Sequence, residues 1–282
     1  MLIKPGLGTP SGFVPADNGA HMTKLTTASD AEPRIVPADR AQNRPLLLWL
    51  VLTLAFACAL LAPALWNGYP LLQYDTGGYL ARWYEGYLVP SRSTTFGLYL
   101  HLGEGTHFWP NLIVQALLTI VIMQRTMQRV GVRGALGPAF IVLTVLLTTT
   151  LPFLTSMLLT DIFCGLGVLA TILLALKGER PTRGEAALFI LTVAFAASSH
   201  SATLGVLGGS CLTGLIAAPW LRAHLSVKGL AQAAAAIALG AAMLVAANFA
   251  LSGKAQWTPG GASLFFGRML QDGIVKKYLD AQ

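Results

Sequence analysis

Charged side chains are scarce in this chain of 282 residues: only 11% of them are Asp, Glu, Lys or Arg, whereas 54% are hydrophobic. Soluble domains usually contain roughly 25% charged residues. Too few charges remain to cover a water-exposed surface, and the mean hydropathy is +0.62. The shortage argues against a soluble globular protein and predicts a surface that faces lipid.

Cysteines and nucleotide-binding motifs are also rare or missing. Cys58, Cys164 and Cys211 each lie in an apolar run, so no disulfide framework or CxxC metal site is expected. No P-loop, GxSxG, HExxH or dinucleotide fingerprint occurs in a suitable context, which gives ATP-driven chemistry no support. The net charge is +7. In a membrane protein an excess of basic residues is explained by their position in cytoplasmic loops, so we do not expect nucleic acid as a partner.

Apolar runs repeat along the chain after a polar beginning. Residues 1–44 have no apolar period, and we expect a disordered cytoplasmic tail. Residues 45–251 predict an all-α transmembrane bundle of about seven spans, since about 20 apolar residues cross a ~30 Å hydrocarbon layer. The predicted spans are 46–66, 109–124, 136–152, 161–176, 186–203, 204–220 and 230–251. Small residues in GVLGG and AAAAIALGAA predict close packing of the last two.

The basic residues predict which side of the membrane each loop occupies, because Lys and Arg collect in cytoplasmic loops. Five precede the first span, three follow the second, three the fourth and two the sixth, which places 13 of the 19 inside. We therefore predict an integral, multi-pass protein of a bacterial inner membrane with a cytoplasmic N-terminus. The external parts are a loop, 67–108, and a segment, 252–282, which we expect to begin a longer C-terminal part.

The external loop is expected to contain a juxtamembrane helix. In YDTGGYLARWYEGYL, the aromatic residues Tyr79, Trp83 and Tyr87 follow at four-residue spacing. This spacing places them on one helical face, which predicts a helix at the membrane surface with its rings at the headgroups.

Two external acidic residues are candidates for chemistry. Asp75 follows the first span and Asp161 stands between the third and fourth spans, so both are expected on one face of the membrane. An acidic residue among apolar sequence usually faces protein or a water-filled cavity. Asp161 can alternatively act as a helix N-cap, and Asp75 as a hydrated residue in the turn sequence DTGG. A carboxylate in a polar cleft can accept a proton from an attacking hydroxyl.

Histidines offer two further candidates. His200, framed by serines in AASSHSAT, either packs through hydrogen bonds or binds a phosphate or an acceptor on the external face. His101 and His107 form a weak metal-ligand pattern with Glu104 in HLGEGTH. The sequence has no strong metal motif. It therefore leaves open whether a divalent cation binds, and the cofactor is unknown.

These features together resemble the GT-C class of integral-membrane glycosyltransferases. The resemblance rests on the cytoplasmic N-terminus, the long first external loop with its Asp in YPLLQYDTGGYL, the juxtamembrane segment ARWYEGYL, and the second acidic residue in SMLLTDIF. It covers residues 45–251. One departure is that many members have paired acidic residues in this loop, whereas Thr76 follows Asp75 here.

The resemblance implies transfer of a sugar from a polyprenyl-phosphate carrier to an acceptor on the external face. Asp75 corresponds to the catalytic carboxylate and Asp161 to the second acidic position. The predicted partners are the lipid-linked donor and the bilayer; the acceptor is not specified. The expected substrate-binding residues, which include arginines able to neutralise the carrier phosphate, are Arg82, Glu85, Arg92, His200 and Arg268.

Two other functions remain open from the residues alone. Several spans with an intramembrane Asp and His also describe a proton-coupled transporter. However, no inverted repeat or matched pair of broken spans is visible, and the polar residues gather at one face instead of the midplane. A membrane scaffold without catalysis is the third reading.

Overall fold

The computed structural model describes residues 39–85, 89–132, 136–178, 181–258 and 260–282. All regular secondary structure in these ranges is helical, apart from two isolated β-bridges, which confirms the all-α prediction. A short 3₁₀ turn spans residues 104–106. The α-helices in chain order are α1 (Asp39–Leu60), α2 (Ala62–Asn67), α3 (Tyr74–Tyr84), α4 (Thr94–Gly103), α5 (Trp109–Arg129), α6 (Leu136–Thr148), α7 (Leu151–Ser156), α8 (Asp161–Ala175), α9 (Arg183–Ser199), α10 (Ser201–Ala217), α11 (Val227–Ser252), α12 (Gly261–Gln271) and α13 (Ile274–Asp280).

The chain divides into two units, Met1–Arg44 and Pro45–Gln282. Most of the predicted tail, residues 1–38, lies outside the described residues. Helix α1 begins at Asp39, within the segment for which we expected no structure.

Prolines divide two of the predicted spans into separate helices. The run 46–66 breaks at Leu61, where Pro63 opens the first turn of α2. The run 136–152 breaks before Leu151, where Pro152 opens α7. Proline lacks a backbone N–H and is tolerated in a first turn, because the N–H groups there have no partner within the helix. In a helix interior the same residue would remove a hydrogen bond.

The described helices confirm the apolar segments but not seven spans. Helix α11 has 26 residues and is the one described helix long and apolar enough to cross a membrane by length and composition. At 1.5 Å per residue it extends about 39 Å. Helices α6, α8 and α10 are apolar but shorter than 18 residues. The boundary predicted between residues 203 and 204 lies instead at His200, which separates α9 from α10.

Small residues allow close packing in α11 but not in the GVLGG sequence of α10. A Cβ atom added at Gly240 would lie 2.4 Å from the Ala194 carbonyl oxygen of α9. At Gly229 it would lie 1.8 Å from the Leu174 carbonyl oxygen of α8. Gly205 and Gly209 have nothing within 4 Å of such an atom. The prediction of close packing is therefore right for AAAAIALGAA and wrong for GVLGG.

A chain of aromatic rings joins α3 and α4 to the bundle. Tyr79 of α3 meets Phe96 of α4 edge-on, with ring centroids 4.8 Å apart. Tyr99 contacts Phe163 of α8 at 5.6 Å, and Phe163 contacts Phe195 of α9 at 4.8 Å. Such edge-to-face pairs stabilise a core beyond the area they bury.

The expected aromatic face of the juxtamembrane helix needs correction. Tyr79 is only 1% exposed and belongs to the core, so it does not lie at the headgroups. Helix α3 ends at Tyr84. Tyr87 and the side chain of Trp83 lie outside the described residues. Burial of Tyr79 against Phe96 instead fixes α3 onto the bundle.

Residues predicted to be cytoplasmic gather at one end of the bundle. The Lys177 ammonium group donates to the Arg222 carbonyl oxygen, which links the α8–α9 connection to the α10–α11 connection. Arg125 near the end of α5 forms an ion pair with Glu185 in the first turn of α9. Helix α9 has 17 residues, so this basic end lies about 25 Å along the helix from His200.

Candidate functional site

A short parallel contact brings the beginnings of α3 and α8 together. The Leu71 N–H donates to the Ser156 carbonyl oxygen at 2.9 Å, and the Leu158 N–H donates to the Leu71 carbonyl oxygen at 3.1 Å. The buried Thr76 hydroxyl then donates to the Leu158 carbonyl oxygen at 3.0 Å. Because Asp75 and Asp161 stand in the first turns of these two helices, the contact places both carboxylates at the same end of the bundle.

Thr76 also stabilises the start of α3. Its hydroxyl oxygen accepts a hydrogen bond from the Gln73 N–H at 3.1 Å. This pairing satisfies one of the backbone donors that a helix N-terminus leaves without an intrahelical partner. Thr76, the residue directly after Asp75, therefore fixes the helix that carries Asp75.

Arg92 forms an ion pair with Asp75 of α3. The side chain of Arg92 is 19% exposed and that of Asp75 is 43% exposed. The guanidinium lies over the Tyr79 ring, 5.6 Å from its centroid. A Cβ atom at Gly78 would lie 3.2 Å from Arg92 Cγ, so a glycine leaves room for the arginine.

The backbone around Arg92 is tightly constrained. Ser91 has a φ of 63°, in the left-handed region that residues other than glycine rarely adopt. Ser93 caps α4, its hydroxyl accepting from the Phe96 N–H at 3.1 Å. Strained backbone of this kind is often found at functional sites. These two constraints define the path of the segment that presents Arg92.

Tyr79 lies beneath this ion pair. Burial raises the pKa of its hydroxyl above 10.0, and a hydrogen bond with the Thr160 side chain partly opposes the rise. Thr160 occupies the N-cap position of α8, and Asp161 is the first residue after it. The alternative reading of Asp161 as the cap is therefore wrong: it is an exposed first-turn residue.

His200 connects α9 to α10 and faces the same charges. Its Nδ1 accepts a hydrogen bond from the Ala202 N–H at 3.1 Å, which caps α10. In the neutral ring the proton then lies on Nε2, which can donate. The charges of Asp75, Asp161 and Arg92 act on this histidine. We call Asp75, Arg92, Asp161 and His200 the polar cluster.

A narrow pocket beside the polar cluster is closed by the chain after α11. It is lined in part by Arg92, His200, Asn248, Trp257 and Thr258. The first two belong to the polar cluster, whereas the last two follow the end of α11. The loop at the end of the long apolar helix therefore forms one wall of the site.

Asn248 holds that loop in place. Its side chain is fully buried and donates to the Gln256 and Trp257 carbonyl oxygens at 2.9 and 3.2 Å. Its Oδ1 accepts from the Thr94 hydroxyl at 3.2 Å. Asn248 thus joins the loop to the beginning of α4, directly after Arg92 and Ser93.

An apolar groove lies next to the aromatic chain. It has a volume of about 420 Å³ and is lined by side chains of α4, α5, α8 and α9. Tyr99, Phe163 and Phe195 line the groove, which continues past Leu118 and Leu188. The ring of Phe163 lies 6.1 Å from that of Phe96, which contacts Tyr79 beneath Arg92, so aromatic rings connect the groove to the polar cluster.

Other predicted site residues lie elsewhere or outside the described residues. Glu85 is exposed beyond the end of α3, and the side chain of Arg82 is not described. Arg268 pairs with Asp272 in its own helix, with Nε 2.9 Å from Oδ2.

The weak metal-ligand pattern in HLGEGTH brings one pair of side chains together. His101 and Glu104 contact each other at 2.9 Å, yet no group of three His, Cys, Asp or Glu side chains in the described ranges is placed to hold a metal ion. Within the polar cluster, the Asp75 carboxylate pairs with Arg92.

Comparison with protein-family models, curated proteins and solved structures gave no match. The sequence reasoning named Asp75, Arg92, Asp161 and His200, and the structure brings all four together. It missed Asn248 and Thr160. A polar residue inside the apolar run 230–251 is a signal that could have found Asn248.

Proposed function

We propose that this protein is a membrane-embedded, GT-C-like glycosyltransferase that moves a sugar from a polyprenyl-phosphate carrier to an acceptor on the external face. The observation that supports this most is the polar cluster beside an apolar groove. A lipid-linked donor needs these two environments together, because its chain is apolar and its phosphate is charged.

Exposed apolar surface supports the membrane part of the proposal. Only 22% of the most apolar window of α11 is buried, and α6 has no buried residue. Leu136 and Leu147 of α6 are 86% and 75% exposed. Monomeric soluble proteins rarely leave such continuous apolar surface in water. A bilayer would cover these helices, with the basic end in the cytoplasm and the polar cluster outside.

Arg92 is the residue best placed for the carrier phosphate. Its guanidinium offers planar donors that match phosphate oxygens, and the cation–π contact with Tyr79 holds its plane. The carrier chain would occupy the groove along Phe163 and Phe195. The bond from the sugar C1 to the phosphate oxygen would then break near the polar cluster.

Asp75 is assigned the role of general base. As the acceptor oxygen attacks C1, its proton passes to the Asp75 carboxylate and the phosphate leaves on the carrier. Asp161 stabilises positive charge that develops on the sugar, and the Nε2–H of His200 donates a hydrogen bond to the acceptor or the phosphate. Each role follows from the side-chain chemistry and from position in the polar cluster.

The test is transfer of radiolabelled sugar from polyprenyl phosphate in proteoliposomes. Asp75→Asn keeps an acceptor for Arg92 but removes the base, so turnover should fall by about 10²–10⁴-fold while thermal unfolding changes little. Asp272→Asn is the matched control, because it also alters an Asp–Arg pair but outside the polar cluster. It should leave transfer unchanged.

Two results would overturn the proposal. Asp75→Asn could retain full transfer, which would remove Asp75 from the chemistry. Alternatively, the wild-type protein could release no sugar from any lipid carrier and move a solute across the vesicle membrane. The second result would favour the transporter.

A further inference from the structure

The two C-terminal helices expose an unusual amount of apolar surface. Helices α12 and α13 contain no buried residue. The large apolar side chains that are about half exposed or more include Phe265, Phe266, Leu270, Ile274, Tyr278 and Leu279. Single exposed apolar residues are ordinary, but a continuous set of this kind marks an interaction surface.

Apolar and polar residues occupy different sides of both helices. At 100° per residue, Phe265, Phe266 and Leu270 fall on one side of α12, whereas Gly267, Arg268 and Gln271 fall on the other. Leu264 is an exposed apolar residue on the polar side. In α13, Ile274, Tyr278 and Leu279 share a side opposite Lys276 and Lys277. Short amphipathic helices with aromatic residues on one face and lysines on the other are typical of membrane interfaces.

Charge favours an anionic lipid surface as the occupant. From Ser252 to Gln282 the chain has four basic and two acidic residues. Lys276 and Lys277 are exposed on the polar side, each about 60° around the helix from an apolar residue, where they can reach lipid phosphates. Basic residues beside an apolar face attract anionic headgroups, while the apolar face enters the acyl boundary.

The position of α12 and α13 after α11 supports the same occupant. Helix α11 is the described helix of membrane-spanning length, so its end at Ser252 marks the level of the bilayer surface. Helix α12 begins at Gly261, nine residues later. Trp257 lies between them and is 57% exposed, as expected of an aromatic residue at headgroup level.

We propose that α12 and α13 form an amphipathic hairpin that lies in the membrane interface and binds anionic lipid. The hairpin begins beside the site, because a Cβ at Gly260 would lie 3.1 Å from Pro90 Cγ in the Arg92 segment. Lipid binding therefore holds the loop at Trp257 over the polar cluster. This inference rests on the membrane part of the proposed function and not on sugar transfer.

The test uses the full chain, with Cys58, Cys164 and Cys211 replaced by Ala, in phosphatidylcholine vesicles with or without one quarter phosphatidylglycerol. An environment-sensitive fluorophore is attached at Phe266→Cys or at the control Gln271→Cys, and quenching by acyl-brominated lipid is measured. The label at residue 266 should be quenched and the label at 271 much less. Phosphatidylglycerol should increase quenching at 266, and Lys276→Glu with Lys277→Glu should abolish the increase.

A label at Leu239→Cys, an exposed position of α11, separates the two proposals. Quenching at 239 with none at 266 would overturn the hairpin and leave the membrane protein standing. Absence of quenching at both would overturn the membrane part as well. An apolar environment reported by the fluorophore at residue 266 that disappears when the protein is diluted into excess lipid would identify contact with a second copy of the chain. That result would overturn lipid binding. Leu279→Cys and Asp280→Cys repeat the test on α13 if the first pair misfolds.

Discussion

Gly240→Ala and Gly209→Ala apply one chemical change to two interior helix positions and should have opposite effects on stability. A methyl group at Gly240 would lie 2.4 Å from the Ala194 carbonyl oxygen and 2.6 Å from Ala197 Cβ. Both atoms belong to α9 and cannot rotate away. Helices α9 and α11 would therefore have to separate by about half an ångström or more.

The magnitude follows from two opposing effects. Overpacking in a filled interior costs about 1–3 kcal/mol, whereas Gly to Ala inside a helix contributes about 1 kcal/mol of stabilisation. The net effect is a loss of about 0–2 kcal/mol, and we expect Gly240→Ala to destabilise by about 1 kcal/mol. At Gly209 nothing lies within 4 Å, so the helix-propensity gain should remain. The two variants should differ by about 2 kcal/mol.

Equilibrium unfolding in mixed detergent micelles, followed by circular dichroism, would measure the difference. Gly229→Ala, with a carbonyl oxygen at 1.8 Å, should be at least as harmful as Gly240→Ala. If Gly240→Ala and Gly209→Ala changed stability equally and in the same direction, the close contact between α9 and α11 would be refuted.

Two further predictions concern the ends of the bundle. Asn248→Ala removes three buried hydrogen bonds. It should lower the free energy of unfolding by about 2 kcal/mol and speed amide hydrogen exchange in residues 253–258. The control Asn67→Ala loses one exposed hydrogen bond and should change little, and equal exchange rates in the two variants would contradict the role of Asn248. The pKa of Glu185 is held below 4.5, mainly by a backbone hydrogen bond and also by Arg125, so its stabilisation is complete above pH 4.5 and is lost as the pH falls through the lower folded value. Glu185→Gln should flatten acid destabilisation in that window; an unchanged acid limb of the unfolding curve would count against it.

The candidate site was predictable in part because residue type and side of the membrane limit the choices. Asp75, Asp161 and His200 are ionisable residues at the ends of apolar runs, and the distribution of basic residues predicts that those ends lie on one side. Their proximity could not be predicted from the sequence, because it depends on hydrogen bonds that Leu71 forms with Ser156 and Leu158 at the end of α7. Asn248 was missed because one amide in an apolar helix does not indicate which loop it binds.

Composition and local pattern by themselves determined that this chain is helical, that its surface is largely apolar, and that its basic residues collect in alternate loops. These properties follow from the residue types within each segment, because the free energies that govern hydrophobic runs and basic loops are local. Tertiary structure decided which glycines meet a neighbouring backbone, and it buried Tyr79 instead of leaving it at a surface. It also paired Asp75 with Arg92. These outcomes depend on contacts between residues far apart in the chain, and the spacing of residues along one helix contains no information about what a second helix brings against it.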